Sequence, residues 1–401
     1  MNLGGPASSN AMYLSFGRPA RNVSAMSVLR TLCMLSLIAL AASAYGEAPR
    51  SPTPEPVKAS LRVTTVAKGL EHPWSLAFLP DGRMLVSERP GRLRIVERGG
   101  RVSNPLTGVP KVYARGQGGL LDVALSPSFG EDRLVYLSYA EPGEGGAGTA
   151  VARAKLGEDG LSGLQVIWRQ APKVEGPNHW GSRLVFRRDG TLFVTMGDRF
   201  QYAKEAQNLS NTIGKLVRIN SDGSIPKDNP YAGRKDARPE IWSYGLRNVQ
   251  AAALHPQSGE LWTVMHGARG GDELNKTEAG KNYGWPVITY GVDYSGAKIG
   301  TGTAHPGMEQ PVYYWDPVIA PSGAAFYTGK VFPAWQGDLL VGSLSPGGLV
   351  RLRLEGDKVV REERYLRDVG RVRDVRQGPD GFVYLAIDSA NGAILRLEPA
   401  P

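Results

Sequence analysis

A histidine in a loop rich in glycine and proline is the first residue of this 401-residue chain that suggests chemistry. His179 lies in Gly176-Pro-Asn-His-Trp-Gly-Ser-Arg183, immediately before an apolar segment that predicts a strand. An imidazole titrates near neutral pH, so it acts as a general base when a substrate proton comes within reach. A loop histidine that only hydrogen-bonds to the backbone fits the same sequence, and both interpretations stay open at this point.

Two pairs of polar residues supply cations. Arg247 and Asn248 stand side by side before a predicted strand, where a guanidinium fork binds carboxylates and an amide both donates and accepts. Arg371 and Arg373, in Gly370-Arg-Val-Arg-Asp374, point to one face of a strand. Like charges so placed repel unless an anion lies between them or each pairs with its own acid, which indicates an anionic ligand. A turn-capping arginine and an ordinary solvated strand face are the alternatives.

Glycine-rich sequence with several acids follows these residues. The segment His266-Gly-Ala-Arg-Gly-Gly-Asp-Glu-Leu-Asn275 leads to Asn282-Tyr-Gly-Trp-Pro286, and Asp293 and Glu309 come later. Oxygen ligands in such loops suit Ca²⁺, although the spacing is not that of an EF-hand. The sequence contains no H-E-x-x-H, no G-x-S-x-G in a strand-to-helix setting and no P-loop. A calcium site is therefore open, and three common catalytic or nucleotide-binding motifs are excluded.

A repeated unit predicts the elements that position these residues. An apolar strand, a turn that is often Pro-Asp-Gly, and a second apolar strand recur about six times, with Asp-Gly supplying the tight turn. The copies begin near Trp74, Leu121, Arg183, Ala251, Ala324 and Val372. Six such units arranged radially predict an all-β fold, a six-bladed β-propeller in one domain over 61–399, and a strand near Leu61–Val66 is expected to close the last blade. A pair of β-sandwiches is the alternative.

The composition excludes several classes of protein. The chain has 51 glycines and 29 prolines, a density that would break the helices of a bundle. Apolar residues make up 41% and charged residues 21%, which excludes global disorder. The formal net charge is +9 without a basic run, so nucleic-acid binding is not expected.

The N-terminal segment predicts export. Arg30 precedes a short apolar run that ends at Ala42-Ser-Ala44, so residues 1–44 are expected to form a signal peptide, with Met26 as an alternative start. Cys33, the single cysteine, would be removed with it. Residues 45–60 are proline-rich and predict a flexible linker. We therefore expect a periplasmic or secreted protein with no stable membrane span after cleavage; an uncleaved anchor is the alternative.

Taken together, short motifs spread over residues 62–398 resemble the soluble aldose sugar dehydrogenases that depend on pyrroloquinoline quinone (PQQ), a family related to soluble glucose dehydrogenase. Each motif is short, but their ordered set is highly specific. They include Pro73-Trp-Ser-Leu-Ala-Phe-Leu-Pro-Asp-Gly82, Gly116-Gln-Gly-Gly-Leu-Leu-Asp122, Asn178-His-Trp-Gly-Ser-Arg-Leu184, Gly197-Asp198, Asn211-Thr-Ile-Gly-Lys-Leu-Val-Arg-Ile-Asn220, Gly245-Leu-Arg-Asn-Val-Gln250, Gly271-Asp-Glu-Leu-Asn275, Asn282-Tyr-Gly-Trp-Pro286 and Arg371-Val-Arg-Asp374.

The resemblance implies PQQ at the mouth of a six-bladed propeller, with His179 as the catalytic base and Asp198 supporting it. Contacts with the quinone and its carboxylates are implied for Gln117, Arg247, Asn248, Arg371 and Arg373.

Two calcium ions are also implied by the resemblance. The active-site ion would bind the backbone carbonyls of Gly267 and Ala268. A second, structural ion would bind Glu273, the carbonyl of Tyr283, Asp293 and Glu309.

The chain departs from the glucose dehydrogenase branch of this family. Ser345 stands where that branch has a lysine that contacts PQQ, so one cation is missing, and Ala268 replaces a proline. The long loops of the dimeric, glucose-specific branch are absent. We therefore expect a monomer of broad substrate range.

The implied reaction oxidises an aldose at C1 to an aldonolactone. His179 would remove the anomeric hydroxyl proton as hydride passes to PQQ, Ca²⁺ would act as a Lewis acid, and an external acceptor would take the electrons. A calcium-dependent propeller lactonase is one alternative, and a sugar- or protein-binding propeller without catalysis is another.

Overall fold

The structure, a computed structural model, describes residues 48–50, 54 and 61–400. These residues form six β-sheets and the loops that connect their strands. The predicted signal peptide over 1–44 lies outside the described residues, as does most of the predicted linker over 45–60. Within the described ranges, no helix is long and apolar enough to cross a bilayer.

The strands follow one another from the centre of each sheet to its edge. In chain order, β1 (Leu61–Leu70) comes first and belongs to the last sheet, and blade 1 has β2 (Pro73–Phe78), β3 (Met84–Glu88) and β4 (Arg92–Val96). Blade 2 has β5 (Leu120–Leu125), β6 (Leu134–Gly143), β7 (Gly146–Leu156) and β8 (Leu161–Arg169), and blade 3 has β9 (Leu184–Phe186), β10 (Leu192–Thr195), β11 (Lys215–Ile219) and β12 (Ile241–Tyr244).

The second half of the chain forms the other three blades. Blade 4 has β13 (Val249–Leu254), β14 (Leu261–Met265), β15 (Asp272–Lys276) and β16 (Tyr313–Trp315), and blade 5 has β17 (Pro321–Phe326), β18 (Leu339–Ser343), β19 (Leu349–Glu355) and β20 (Lys358–Tyr365). Blade 6 has β21 (Val372–Gln377), β22 (Val383–Ile387) and β23 (Gly392–Pro399).

The helical elements are short. They are α1 (Phe129–Asp132) and the 3₁₀ turns Ala203–Gln207, Pro333–Trp335 and Arg367–Val369.

The six sheets close into a ring, which confirms the predicted six-bladed propeller. The innermost strands contact one another in the order β2, β5, β9, β13, β17 and β21, and β21 returns to β2. The strand β1 pairs antiparallel with β23, with Leu61 opposite Pro399, so strands from the two ends of the propeller share one blade as the sequence predicted. Because every sheet packs against two neighbours, both of its faces are buried and the ring leaves few free edges.

Apolar side chains fill the space between neighbouring blades. Leu85 of blade 1 packs in one cluster with Val123 and Leu137 of blade 2, and other blades meet through similar clusters. The alternation along each strand delivers these side chains to both faces of the sheet, because successive residues point in opposite directions. The blade hairpins turn as the sequence predicted: Gly82 in the Pro-Asp-Gly turn between β2 and β3 has φ +83°.

A bulge lies near the start of several innermost strands. The register with the second strand shifts between Pro73 and Ser75, between Val249 and Ala251, and between Val372 and Asp374. A bulge adds a residue to one strand and re-aims its side chain. The added residues Trp74, Gln250 and Arg373 therefore stand at the beginning of their strands, close to the loops described below.

Residues 48–50, within the predicted linker, contact blade 4 and its loops. The Ala48 N–H donates to the Tyr290 hydroxyl at 2.8 Å, and the Tyr314 N–H donates to the Pro49 carbonyl at 3.2 Å. The Arg50 guanidinium donates to the carbonyl of Asp316 at 2.7 Å. This short segment is thus held against the propeller.

Candidate active site

Two kinds of loop meet at one mouth of the ring. One kind precedes an innermost strand and carries Gln117, His179, Arg247 with Asn248, and Arg371. The other kind follows the second strand of a blade and carries Asp198, Gly267 with Ala268, and Asp388. In an antiparallel sheet, the start of one strand and the end of its neighbour share an edge, so the ring gathers both kinds of loop at the same end.

His179 and Asp198 form a hydrogen-bonded pair in this mouth. His179 Nδ1 lies 2.6 Å from Asp198 Oδ1, and the second carboxylate oxygen accepts the Trp285 indole N–H at 2.7 Å. The His179 backbone N–H donates to Gln117 Oε1 at 2.8 Å. An ionised carboxylate can only accept, so this network assigns the proton to Nδ1 and leaves Nε2 as a free base.

The surroundings of His179 favour its neutral form. Burial of the ring lowers its pKa below the ordinary histidine value, and the positive charges of Arg247 and Arg199 lower it further, against the opposing effect of Asp198. A neutral imidazole with its Nδ1 proton held by a carboxylate is suited to accept a proton at Nε2.

Arg199, which sequence analysis missed, holds the loop that carries His179. Its guanidinium donates to the carbonyls of Asn178 and Ala147, both at 3.1 Å, and to that of Gly176. It also lies 3.4 Å from the centre of the Trp180 ring. A planar cation that satisfies three carbonyls at once fixes the path of this loop.

Two exposed aromatic rings flank the base. Phe200 contacts the His179 ring edge-on at 5.2 Å between ring centres, has φ +66°, and is 45% exposed. Tyr294 is 58% exposed, and its hydroxyl accepts a hydrogen bond from Arg247 Nη2 at 3.2 Å. A bulky residue with positive φ is uncommon.

Arg247 is buried without a carboxylate partner. Its guanidinium donates to the carbonyls of Gly267 and His266 and to Tyr294, all neutral oxygens, while its Nε has no partner among the described residues. The neighbouring Asn248 accepts the Gly181 N–H at 3.0 Å through Oδ1, which ties this loop to that of His179.

Arg371 and Arg373 share one carboxylate, that of Asp388. Arg373 is buried and donates to Asp388 at 2.7 Å and to Gln250 Oε1 at 2.7 Å. The exposed Arg371 reaches the same carboxylate at 3.5 Å. The anion that the sequence required between the two arginines is therefore supplied by the protein itself.

Asp388 also binds His72, and the sequence analysis proposed a role for neither residue. His72 Nδ1 lies 2.8 Å from Asp388 Oδ1. The pKa of the Asp388 carboxyl is well below its usual value: burial raises it, but the charge and hydrogen bonds of Arg373 outweigh that effect.

His266 is affected by charges from three blades. Burial lowers its pKa well below the ordinary value, and the charges of His179, Arg247 and Arg373 act on it in the same direction. Those three residues come from the loops and strands of blades 3, 4 and 6.

A buried carboxylate, that of Asp272, accepts a hydrogen bond from the loop that carries Gly267 and Ala268. Asp272 accepts the Gly267 N–H at 2.7 Å, as well as two N–H groups from the start of blade 5. Burial raises the pKa of Asp272 to about 6, in spite of these bonds. The Gly267 carbonyl faces the cation of Arg247, and a Cβ at Gly267 would lie 2.2 Å from the Gly270 carbonyl, so the turn admits no side chain there.

The residues implied for a second calcium ion are not gathered into one group. Asp293 binds the N–H and hydroxyl of Ser295, and Glu309 pairs with Lys281 at 2.9 Å. Tyr283 is buried, and its hydroxyl donates to the Lys276 carbonyl. Among the described residues, no three His, Cys, Asp or Glu side chains form a group that could hold a metal.

Glu273 alone of that set has the surroundings of a cation ligand. It is buried, its pKa is raised to about 8 by burial, and its one hydrogen bond, from Asn275, is 3.5 Å long. Asn275 Oδ1 is itself buried without a partner. A buried carboxylate with one long hydrogen bond, beside a buried amide oxygen without a partner among the described residues, fits a cation.

The mouth as a whole fits an anionic ligand with several polar groups. It combines the unmatched charge of Arg247, the exposed cation of Arg371, and a buried donor and acceptor without partners at Arg247 Nε and His266 Nε2. Ser345 is exposed and contributes no charge. Such a donor set suits a molecule that carries carboxylates.

Comparisons with known proteins agree with this geometry. Residues 70–396 match the family model described as glucose/sorbosone dehydrogenase. The aldose sugar dehydrogenase YliI of Escherichia coli (strain K12) is 47% identical over 348 residues, which cover 85% of this chain and 94% of that protein. A crystal structure of a glucose dehydrogenase is 51% identical with a TM-score of 0.82, covering 84% of this chain and 99% of its own. The PQQ-bound aldose sugar dehydrogenase from Streptomyces coelicolor is 28% identical with a TM-score of 0.71, covering 86% and 100%.

Proposed function

The chain belongs to the glucose/sorbosone dehydrogenase family, and from that premise we propose that it oxidises aldose sugars at C1 to aldonolactones with PQQ and Ca²⁺. Its enzyme class is that of the PQQ-dependent aldose sugar dehydrogenases, as its similarity to the E. coli and S. coelicolor enzymes indicates. The observation that carries the proposal is the placement of the His179–Asp198 pair, Arg247 and Arg373 at one mouth: the Asp198 N–H donates to the Arg247 carbonyl at 2.7 Å, and Arg373 donates to Gln250 of the strand that Arg247 precedes.

His179 serves as the general base in this proposal. Its Nε2 takes the proton of the anomeric hydroxyl, and Asp198 keeps the ring oriented and stabilises the imidazolium that forms. When bound, PQQ would supply the two-electron acceptor that oxidation at C1 requires. The base contributes roughly 10²- to 10⁴-fold to the rate.

The arginines and amides hold the carboxylates of the cofactor. Arg247 offers a donor without a protein partner, and Arg371 is free to turn because its hydrogen bonds are long. Gln117 and Asn248 fix the loops on either side of the base and complete the polar lining. The carbonyls of Gly267 and Ala268 would bind Ca²⁺, which prefers oxygen ligands.

Phe200 and Tyr294 offer the apolar surface on which a sugar ring would lie. Both rings are exposed at the edge of the mouth, one against His179 and the other bonded to Arg247. Their placement would keep the anomeric carbon close to the base and restrict water there.

The experiment is to reconstitute the purified protein with PQQ and Ca²⁺ and to measure dye-linked oxidation of a panel of aldoses. His179→Ala should lower kcat by about 10²- to 10⁴-fold without loss of PQQ binding. His255→Ala, at the other end of the blade 4 innermost strand, is the matched control and should keep wild-type kcat. Undiminished oxidation by His179→Ala would remove the proposed base.

The lactonase alternative receives less support. Such an enzyme needs a metal held by carboxylates in the channel, but the channel acids Asp122 and Asp374 are engaged by Arg183 and Arg376. Hydrolysis of an aldonolactone without PQQ would favour the lactonase, and reduction of added PQQ by sugar would favour the dehydrogenase.

We also propose that the protein is exported, acts as a monomer and passes its electrons to an external acceptor. The predicted signal peptide over 1–44 supports the first statement, and the absence of the long loops of the dimeric branch supports the second. N-terminal sequencing of the exported protein and its sedimentation in solution test both.

A further inference from the structure

A second imidazole, that of His266, stands in the mouth, and the proposed reaction leaves it without a role. His266 directly follows β14, the place in blade 4 that Asp388 takes in blade 6. Its backbone is fixed on both sides: its N–H donates to the Asn248 carbonyl at 3.0 Å, and its carbonyl accepts a hydrogen bond from Arg247 at 3.3 Å. The ring is thus placed in the mouth by the same loops that carry the cofactor-binding residues.

One ring nitrogen of His266 is in use and the other is bare. The backbone of Pro321 acts on the ring and favours its protonated form, and because proline has no N–H, the group responsible is the carbonyl, which faces a ring N–H. Nε2 is buried and has no partner in the described part of the chain. Nδ1 is therefore the donor, and Nε2 carries an unsatisfied lone pair.

The neighbours of Nε2 do not relieve this deficit. His179, whose charge acts on His266, also presents a bare Nε2 because its proton is held at Nδ1 by Asp198. Arg247 and Arg373 direct their bonded N–H groups to Gly267, Gln250 and Asp388. A buried acceptor without a donor destabilises the fold, and native proteins keep few of them.

We propose that His266 is a ligand-contacting residue whose Nε2 accepts a hydrogen bond from an N–H or O–H group of the molecule that fills the mouth. This inference rests on the proposed function, in which cofactor and sugar meet there. The pyrrole N–H of the quinone and a hydroxyl of the sugar are the two sources of such a donor. Direct binding of Ca²⁺ is a poorer match, because that ion prefers oxygen.

His266→Leu separates this role from a structural one, because the two roles predict opposite effects on stability. In the cofactor-free protein, removing an unsatisfied acceptor should raise Tm by about 2 °C. In the loaded protein, the ligand loses an acceptor, so either the Kd for PQQ or the KM for the sugar should rise about 10-fold. A change in Kd, followed by the visible absorbance of PQQ in the presence of Ca²⁺, identifies the cofactor as the donor. A change in KM alone identifies the sugar.

Two further variants complete the experiment. His266→Gln keeps an acceptor at this place and should lie between wild type and His266→Leu in both Kd and KM. His255→Leu makes the same chemical change at the far end of β13 and should leave both constants at their wild-type values. The inference is overturned if His266→Leu lowers the Tm of the cofactor-free protein or fails to fold, or if it leaves both constants unchanged. Wild-type protein that takes up no PQQ contradicts the proposed function instead, so the two failures are distinguishable.

Discussion

Two buried arginines, Arg183 inside the central channel and Arg247 at its mouth, differ in the charges around them. Inside the channel, Arg183 donates to Asp122 and Asp374, both at 3.0 Å, and Arg376 pairs with the same two carboxylates. At the mouth, Arg247 is equally buried but bonds only carbonyl and hydroxyl oxygens.

The difference lies in charge rather than in the number of hydrogen bonds. Arg183 also has a guanidinium nitrogen with no partner in the part of the chain that the structure describes, and it stacks over the Trp74 ring at 4.3 Å. Two carboxylates at hydrogen-bond distance match its charge, whereas Arg247 has no carboxylate at that distance among the described residues, and Asp272 and Asp293 act on it only through space. An unmatched buried cation is costly, so it indicates a place where a ligand brings the missing anion. The sequence alone does not show whether a carboxylate of the protein matches the charge of a given arginine.

The largest effect is expected from breaking the channel group. Arg183→Met leaves two buried carboxylates with one cation between them, which should reduce the free energy of unfolding of the cofactor-free protein by about 3–5 kcal/mol. Denaturant unfolding measures it, and Arg361→Met, on the outer strand β20, is the exposed control. A loss no larger than that of the control would show that the channel charges do not support the fold.

Arg247→Met should give the opposite pattern. The variant removes an unmatched charge, so the cofactor-free protein should be at least as stable as wild type. The Kd for PQQ should rise about 30-fold, because a hydrogen bond to a charged group contributes about 1.5–3 kcal/mol. PQQ titration and thermal unfolding measure the two effects. Lower stability of Arg247→Met with unchanged PQQ affinity would show that Arg247 supports the fold as Arg183 does, and would contradict its assignment to the cofactor.

Gln250 joins the two regions and should show a smaller, mixed effect. Its side chain accepts Arg373 Nη1 at 2.7 Å at the mouth, and its carbonyl accepts Arg183 Nε at 3.1 Å in the channel. Gln250→Leu removes only the first bond, so we expect about 1 kcal/mol less stability and a several-fold weaker affinity for PQQ. Equal affinity in the variant would mean that Asp388 alone positions Arg373.

The smallest effect concerns the pH profile. His179 must be neutral to act as a base, so kcat/KM should fall as pH drops through its pKa, which burial and the nearby arginines place below the ordinary value of about 6.5. Arg247→Met removes one of those charges and should move this acidic limb to higher pH, whereas Arg361→Met should not. A wild-type limb above the ordinary value would contradict the assignment.

Much of the fold was readable from the sequence because its signals are local. Alternating apolar residues and Asp-Gly turns predicted the six repeats, and the strand Leu61–Leu70 was expected where it lies. Several contacts at the site had no such signal. His72 meets Asp388 across 316 residues of chain, and Arg199 reaches carbonyls whose positions depend on the loop path. The sequence does contain a signal for two of these residues, because His266 and Asp388 each directly follow the second strand of a blade and are therefore placed at the same end of the ring.

By itself, the sequence determined how many blades form and which loops carry imidazoles, guanidinium groups and carboxylates, because strand patterning and turn chemistry act over a few residues. Only the tertiary structure decided which of those charges meet. Ring closure places the loops of blades 3, 4 and 6 around one mouth. The bulges at Gln250 and Arg373 change the direction in which these two side chains leave their strands. Pairing in a closed ring depends on residues far apart in the chain, and so the arginines that hold the fold and those proposed to hold a cofactor differ only in their neighbours.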